Sequence, residues 1–210
     1  MEFESFLSLI SKINQGKLSG IHSHKKMIPK ERLNISQKDI LNSNPKKAAV
    51  LALFYPDIHN ETKFLLTLRA SYGGTHASQI SFPGGKFDVS DVDLKSTALR
   101  ETFEEVGIAA NQVQILKQMS DTFIPPSNFL VSPFIGIHYK TPVFNFNHEV
   151  EALIEVKLTD LLNDKTIAIK NLSTSYMKNI DVPCYILNNY VVWGATAMIL
   201  SEIKDLLKSL

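Results

Sequence analysis

Apolar positions along this chain alternate between helical spacing and short unbroken runs. Phe3, Phe6, Leu7 and Ile10 recur at a helical interval within residues 2–13. Ala48 to Tyr55 is a continuous apolar run stopped by Pro56, the pattern of a buried strand. Asp57 to Glu61 reads as a turn and Phe64 to Leu68 as a second strand, so the two are expected to pair as a hairpin. The strongest helical pattern covers residues 93–106, with Asp91 or Asp93 placed to cap its start and Gly107 to end it. Further strands are expected around 112–118, 129–138, 149–156 and 183–191, and helices at 158–163 and 194–208. Residues 22–45 are polar, carry Pro29 and Asn-rich patches, and read as a surface excursion. Strands flanking one central helix, with another helix at the end, predict an α/β fold with a mixed sheet covered on both sides. Residues 1–45 are then a helix and excursion packed on a domain formed by residues 46–210, with no internal repeat.

At 210 residues and 44% hydrophobic composition the chain is expected to fold around a core of ordinary domain size. A formal charge of +1 argues against a nucleic-acid or other polyanionic partner, and Lys25-Lys26 and Lys46-Lys47 read as solvated faces. The single cysteine, Cys184, forms no intrachain disulfide and sits in an apolar stretch as an inert buried thiol. Met1-Glu2-Phe3-Glu4 lacks the order of a secretory signal, and no apolar run is long enough to span a bilayer. Lys208-Ser209-Leu210 scrambles the Ser-Lys-Leu peroxisomal address. A cytoplasmic protein without a membrane partner is expected; a homodimer stays open.

The chemistry concentrates on the 93–106 helix. At about 100° per residue, Leu94, Ala98, Leu99, Thr102, Phe103 and Val106 gather as a core stripe, and Glu101, Glu104 and Glu105 gather on another side. Like charges at that spacing oppose helix formation by roughly 0.2–0.5 kcal/mol each, and the last turn disfavours anions. A cation would compensate both. Just before the helix, Phe82-Pro83-Gly84-Gly85 supplies a glycine loop whose backbone can approach a ligand. Carboxylates beside such a loop suit hard divalent cations, Mg2+ or Mn2+ rather than zinc, and hence phosphoryl chemistry.

Arg100-Glu101-Thr102-Phe103-Glu104-Glu105-Val106-Gly107-Ile108 resembles the core of the Nudix box, with Thr102 in place of an apolar residue. The box's earlier glutamate falls on Val92, and Gly85 lies one residue further from Arg100 than the general spacing. That altered first half is similar to the coenzyme A pyrophosphatase branch. Its signature is matched by Leu65-Leu66-Thr67-Leu68-Arg69, His76, Gln79, Phe82-Pro83-Gly84-Gly85-Lys86, Asp88, Asp91, Asp93 and Thr97-Ala98-Leu99-Arg100-Glu101. Val131-Ser132-Pro133-Phe134-Ile135-Gly136 and Trp193-Gly194-Ala195-Thr196-Ala197 extend the likeness over about residues 46–205. Ala70, Gly73-Gly74 and Ser78 depart from the branch, which has serine, Leu-Arg and glycine there.

The resemblance implies a Nudix-type α/β/α sandwich and an enzyme that cuts coenzyme A or its thioesters to 3′,5′-ADP and a 4′-phosphopantetheine product. It implies Mg2+ or Mn2+ held by Glu101, Glu104, Glu105 and the backbone of Gly85, with Arg100 orienting the carboxylates. It implies substrate contacts at Arg69, His76, Gln79, Gly84, Gly85 and Lys86, although plain surface roles for Arg69 and Lys86, and a loop-stabilising one for His76, stay open. A later glutamate is expected to take the proton from the attacking water. Strand alternation puts Glu149, Glu151 and Glu155 on one face, and position after Asn145, Asn147 and His148 favours Glu149. His22 and His24 read as solvated, and Trp193 as core. The rival readings are a Nudix hydrolase of ADP-ribose or an oxidised nucleotide, and a Nudix domain that binds a nucleotide without turnover.

Overall fold

A computed structural model describes residues 1–29, 40, 42–70, 79–174 and 177–210. The apolar run forms strand β1 (Lys46–Pro56), which turns through Asp57–Glu61 into antiparallel β2 (Thr62–Arg69), the expected hairpin. Two short strands follow, β3 (Ile80–Ser81) and β4 (Gly84–Lys86). The glycine pair expected as a loop is therefore strand, hydrogen-bonded antiparallel to Ala48–Val50 of β1. β5 (Gln114–Gln118), β6 (Thr122–Ile124), β7 (Phe129–Ile137) and β8 (Val150–Lys157) complete an eight-stranded sheet. Only β1 and β7 run parallel in it, paired from Lys46↔Phe129 to Phe54↔Ile137, so the sheet is mixed as expected. β9 (Ile167–Thr174), β10 (Met177–Leu187) and β11 (Tyr190–Trp193) make a separate three-stranded sheet.

Alternation along β1 divides the interior into two cores. Ala49, Leu51, Leu53 and Tyr55 face Ala98 and Val106 of the helix Leu94–Val106. Ala52 and Phe54 face the opposite core, which holds Phe3 and Phe6, the helix Leu158–Leu162 and the C-terminal helix Gly194–Lys208. Both faces of the sheet are thus covered, the α/β architecture read from the sequence. The Leu94–Val106 helix begins with Asp93 accepting from Ser96 N–H at 2.7 Å and ends at left-handed Gly107. Among the described residues no helix is long and apolar enough to cross a membrane.

The N-terminal half departs from expectation. The 2–13 pattern is two short helices, Phe3–Leu7 and Ile10–Gln15, and the segment read as a surface excursion contains a third, Ile21–Lys25. Ser23, His24 and Met27 are buried there; His22 is exposed. The reason is a buried carboxylate. Glu202, fully enclosed on the C-terminal helix, accepts hydrogen bonds from Gly20 N–H at 2.6 Å, Ser120 Oγ at 2.6 Å and Ser120 N–H at 2.9 Å, and faces His24 Nε2 at 3.7 Å. Beside it Ser201 Oγ donates to Ser23 O at 2.8 Å and Lys26 pairs with Asp205 at 2.7 Å. Burial alone would raise the Glu202 carboxyl; His24 and the three donors hold it down at about 2.

A carboxyl depressed in the folded state stabilises the fold above its ordinary range and loses that contribution as pH falls toward its folded value. Glu202→Gln is therefore expected to destabilise by roughly 1–3 kcal/mol at pH 7. The difference should shrink to less than half of that at pH 3. Urea unfolding of both proteins at the two pH values measures it.

Candidate active site

Three carboxylates leave the Leu94–Val106 helix toward β4, and their surroundings differ. Glu105 is buried: one oxygen accepts from Gly84 N–H at 3.0 Å and the other from Arg69 Nη1 at 3.1 Å. Glu101 is partly enclosed and Glu104 is exposed. The three glutamates line one cavity, and the expected core stripe is what is corrected here. At about 100° per residue Glu105 falls within about 20° of Ala98, inside the buried arc, and Phe103 falls about 140° away; Phe103 is accordingly 56% exposed.

The glycines set the distance between helix and strand. A Cβ on Gly85 would stand 2.4 Å from the Glu101 carboxyl carbon. Gly84 has φ +149°, and its Cβ would meet Ala49 O at 2.3 Å. With both side chains absent, β4 lies directly under the carboxylates.

Arg100 orders the outer pair. Its Nε and Nη2 grip Asp91 at 2.8 and 2.9 Å, while Nη1 donates to Glu101 at 2.9 Å and to Glu104 at 3.1 Å. Thr97 Oγ1 donates to Asp91 as well, at 2.8 Å. The Arg100 hydrogen bonds hold Asp91 well below the ordinary carboxylate range. Asp91, a candidate cap in the sequence, thus anchors this arginine, and Asp93 makes the cap.

Arg69, at the end of β2, reaches Glu105 and also Glu149 Oε2 at 3.7 Å. The expected alternation of Glu149, Glu151 and Glu155 does not hold, because the β2–β8 pairing shifts register between Leu68↔Ala152 and Arg69↔Val150. Glu149 precedes the strand and lines the site; Glu155 accepts from Tyr55 OH at 2.9 Å instead. Asn147 N–H donates to Glu105 O at 3.0 Å and Ala70 N–H to Glu149 O at 2.9 Å, which ties this loop to both helix and strand.

One cavity of about 720 Å³ is lined by Glu101, Glu104, Glu105, Glu149, Arg69, Gln79, Gly84, Gly85 and Lys86. His76 lies outside the described residues. Trp193, expected in the core, is half-buried on the cavity wall; buried His24 and exposed Lys25, which the sequence reading left in solvent, line the same wall. The missed wall had a faint signal in Ile21, Met27 and Ile28, an apolar set inside a polar stretch.

Burial pushes the Glu105 carboxyl up to about 7, against Gly84 N–H and Arg69, and the charges of Glu101 and Glu149 push the same way. Burial likewise raises Glu101, opposed by Arg100 and reinforced by Glu104 and Glu149. Among the described residues no three acidic, His or Cys side chains are drawn together into a finished metal cage. The donor set nonetheless fits a hard divalent cation: Glu101 and Glu105 are raised by burial and by the carboxylates around them, and added positive charge relieves both.

A mixed sheet between helices, with carboxylates packed on a glycine strand at the wall of a cavity, defines an α/β protein equipped for phosphate chemistry. Residues 45–170 match the NUDIX domain. Uncharacterized Nudix hydrolases called NudL from Yersinia pestis and Yersinia pseudotuberculosis are 33% identical over 148 residues, covering 69% of this chain and 72% of theirs. The Nudix hydrolase RenU from M. smegmatis has a similar fold, with TM-score 0.55 and 16% identity over 79% of this chain and 88% of its own. A MutT/nudix family protein from Enterococcus faecalis aligns with TM-score 0.51 and 14% identity, over 85% of this chain and 71% of its own. The chain belongs to the NUDIX family and is a hydrolase acting on phosphoanhydride bonds. Hydrolases of this family generally use divalent metal ions such as Mg2+ or Mn2+.

The two glycines should respond differently to an added methyl group. Gly85→Ala meets the mobile end of Glu101, so stability should fall by less than about 1 kcal/mol while kcat falls by roughly tenfold or more. Gly84→Ala meets backbone at a left-handed position and should destabilise by about 2–4 kcal/mol. Thermal unfolding beside steady-state kinetics separates the two.

Proposed function

We propose that this enzyme cleaves the pyrophosphate of coenzyme A or its thioesters, releasing 3′,5′-ADP and a 4′-phosphopantetheine product. One observation carries the reading. The separate stretches that resemble the coenzyme A branch line the same cavity as the helix carboxylates, through Arg69, Gln79, Phe82, Gly84 to Lys86 and Trp193 to Thr196.

In this reading Glu101, Glu104, Glu105 and the backbone of Gly85 hold Mg2+ or Mn2+. A divalent cation bound there neutralises phosphate charge and favours attack by water. Arg100, fixed by Asp91, keeps Glu101 and Glu104 turned toward the cavity. Lys86 and Arg69 offer positive charge to the diphosphate, and Gln79 stands beside them on the wall. Glu149 accepts the proton as the water oxygen bonds to phosphorus and the bridging P–O bond breaks. Its exposed carboxylate stands 3.7 Å from Arg69, which joins it to Glu105.

Comparison of kcat/KM for coenzyme A and ADP-ribose, with products identified by mass, tests the substrate. Coenzyme A is expected to be preferred by at least about tenfold, a difference of about 1.4 kcal/mol in transition-state binding. Preference for ADP-ribose or an oxidised nucleotide would move the substrate elsewhere within the family.

The roles of the glutamates have their own test. Glu104→Gln, Glu105→Gln and Glu149→Gln should each lower kcat at saturating Mg2+ by roughly 100-fold or more. Glu151→Gln and Glu155→Gln should stay within about threefold of the parent. A collapse at Glu151 or Glu155 with Glu149→Gln unaffected would transfer the base to that neighbour.

A further inference from the structure

The cavity is larger than a diphosphate and its counter-ions need. About 720 Å³ lies in the range that encloses a drug-sized ligand. Part of its wall is apolar, formed by Ile21, Met27, Ile28, Ile124, Trp193 and Met198. None of the six belongs to the carboxylate helix or the glycine strand, and all but Ile124 lie outside the residues that match the NUDIX domain.

This wall is built in rather than incidental. Ile21, Met27 and Ile28 belong to the segment that Glu202 ties down through Gly20 N–H, and Glu202 and Met198 ride on the same C-terminal helix. Thr196 Oγ1 on that helix donates to Ile80 O at 2.9 Å, joining the wall to the strand just before Phe82 and the glycines. The polar groups on this side are few, and Ser127 Oγ and His24 Nε2 are enclosed without a hydrogen-bond partner among the described residues. His24 faces Glu202 at 3.7 Å and Asp121 accepts from Ser132 Oγ at 2.6 Å, while Lys25 stands exposed at the rim. A charged ligand group would find little here, whereas an aliphatic chain would be desolvated along its length.

We infer that this wall is a specificity subsite for an uncharged apolar arm carried by the diphosphate substrate, such as the acyl chain of a thioester. The inference deepens the reading of the site as one for diphosphate cleavage. Selectivity follows from area: a fully buried methylene contributes about 0.8 kcal/mol, or roughly fourfold in affinity.

The test uses ADP esterified on its terminal phosphate with a methyl, butyl or octyl group. These probes share one diphosphate end and do not depend on coenzyme A. Calorimetric Kd values for the full chain without added metal, beside kcat/KM with Mg2+, should both favour octyl over methyl by at least tenfold. Ile28→Asp should bring the octyl-to-methyl ratio close to one. Ile21→Asp, at a position 56% exposed and therefore tolerant of the change, should lower the ratio at least threefold. Equal methyl and octyl Kd values in the parent protein would overturn the subsite, as would a ratio that neither variant moves. An intact octyl preference in a protein that leaves coenzyme A uncut would support the subsite and sink only the coenzyme A assignment.

Discussion

The absence of two side chains governs how close the carboxylate helix can come to the sheet. Gly84 and Gly85 lie where any Cβ would collide with β1 or with Glu101. Their bareness lets the helix settle until Glu105 meets a backbone N–H of the strand beneath it. Everything distinctive about the site follows from that proximity. Glu105 is removed from water, Glu101 is half removed, and burial with the carboxylates around them raises both. A loop would not do this as well. As a strand, Gly84–Lys86 is registered against Ala48–Val50 by the ladder, so its position is fixed by the core of the domain.

Two arginines then hold the arrangement from opposite sides, and their reach explains why the helix alone does not make the site. Arg100 works within the acidic segment: Asp91 takes two of its donors, which leaves Nη1 shared by Glu101 and Glu104. Arg69 works between elements, running from the end of β2 to the helix through Glu105 and to the 145–149 loop through Glu149. The register shift beside Arg69 makes this bridge possible. It removes Glu149 from the strict two-residue repeat that would have grouped it with Glu151 and Glu155.

Much of this was legible in the residues because local signals and global packing agree. The β1 run, its turn, the capped helix ending at Gly107 and the last helix all appear at or within a few residues of their expected places. The expected core stripe was displaced around the helix: it took in Phe103, which is exposed, and left out Glu105, which is buried. β9 was missed for a related reason. Its Ile167 and Ile169 are 43% and 69% exposed, so an apolar pattern there points away from the core rather than toward it. The helix at Ile21–Lys25 was invisible because its burial depends on Glu202, about 180 positions away in the chain. No periodicity in residues 22–45 encodes that partner. His76 and the Gly73-Gly74 departure fall outside the described residues, so Ala70 and Gln79 are the described residues that flank that part of the branch signature.

Glu105 and Glu202 show how one residue type serves stability in one place and chemistry in another. Both are glutamates on helices, and both are almost wholly buried. Burial disfavours the charge of each, yet Glu202 is held at about 2 and Glu105 rises to about 7. The difference lies in their donors. Glu202 receives Gly20 N–H and both groups of Ser120, with His24 alongside, which uses most of its capacity to accept. Glu105 receives one N–H and one guanidinium contact while facing the charges of Glu101 and Glu149. A saturated carboxylate gains nothing from a further cation and acts as a clamp. An undersaturated one, crowded by its own kind and open to a cavity, is stabilised by whatever positive charge arrives there. Glu202 thereby fixes the apolar wall that the N-terminal segment brings to the cavity, and Glu105 keeps the opposite side responsive to a ligand.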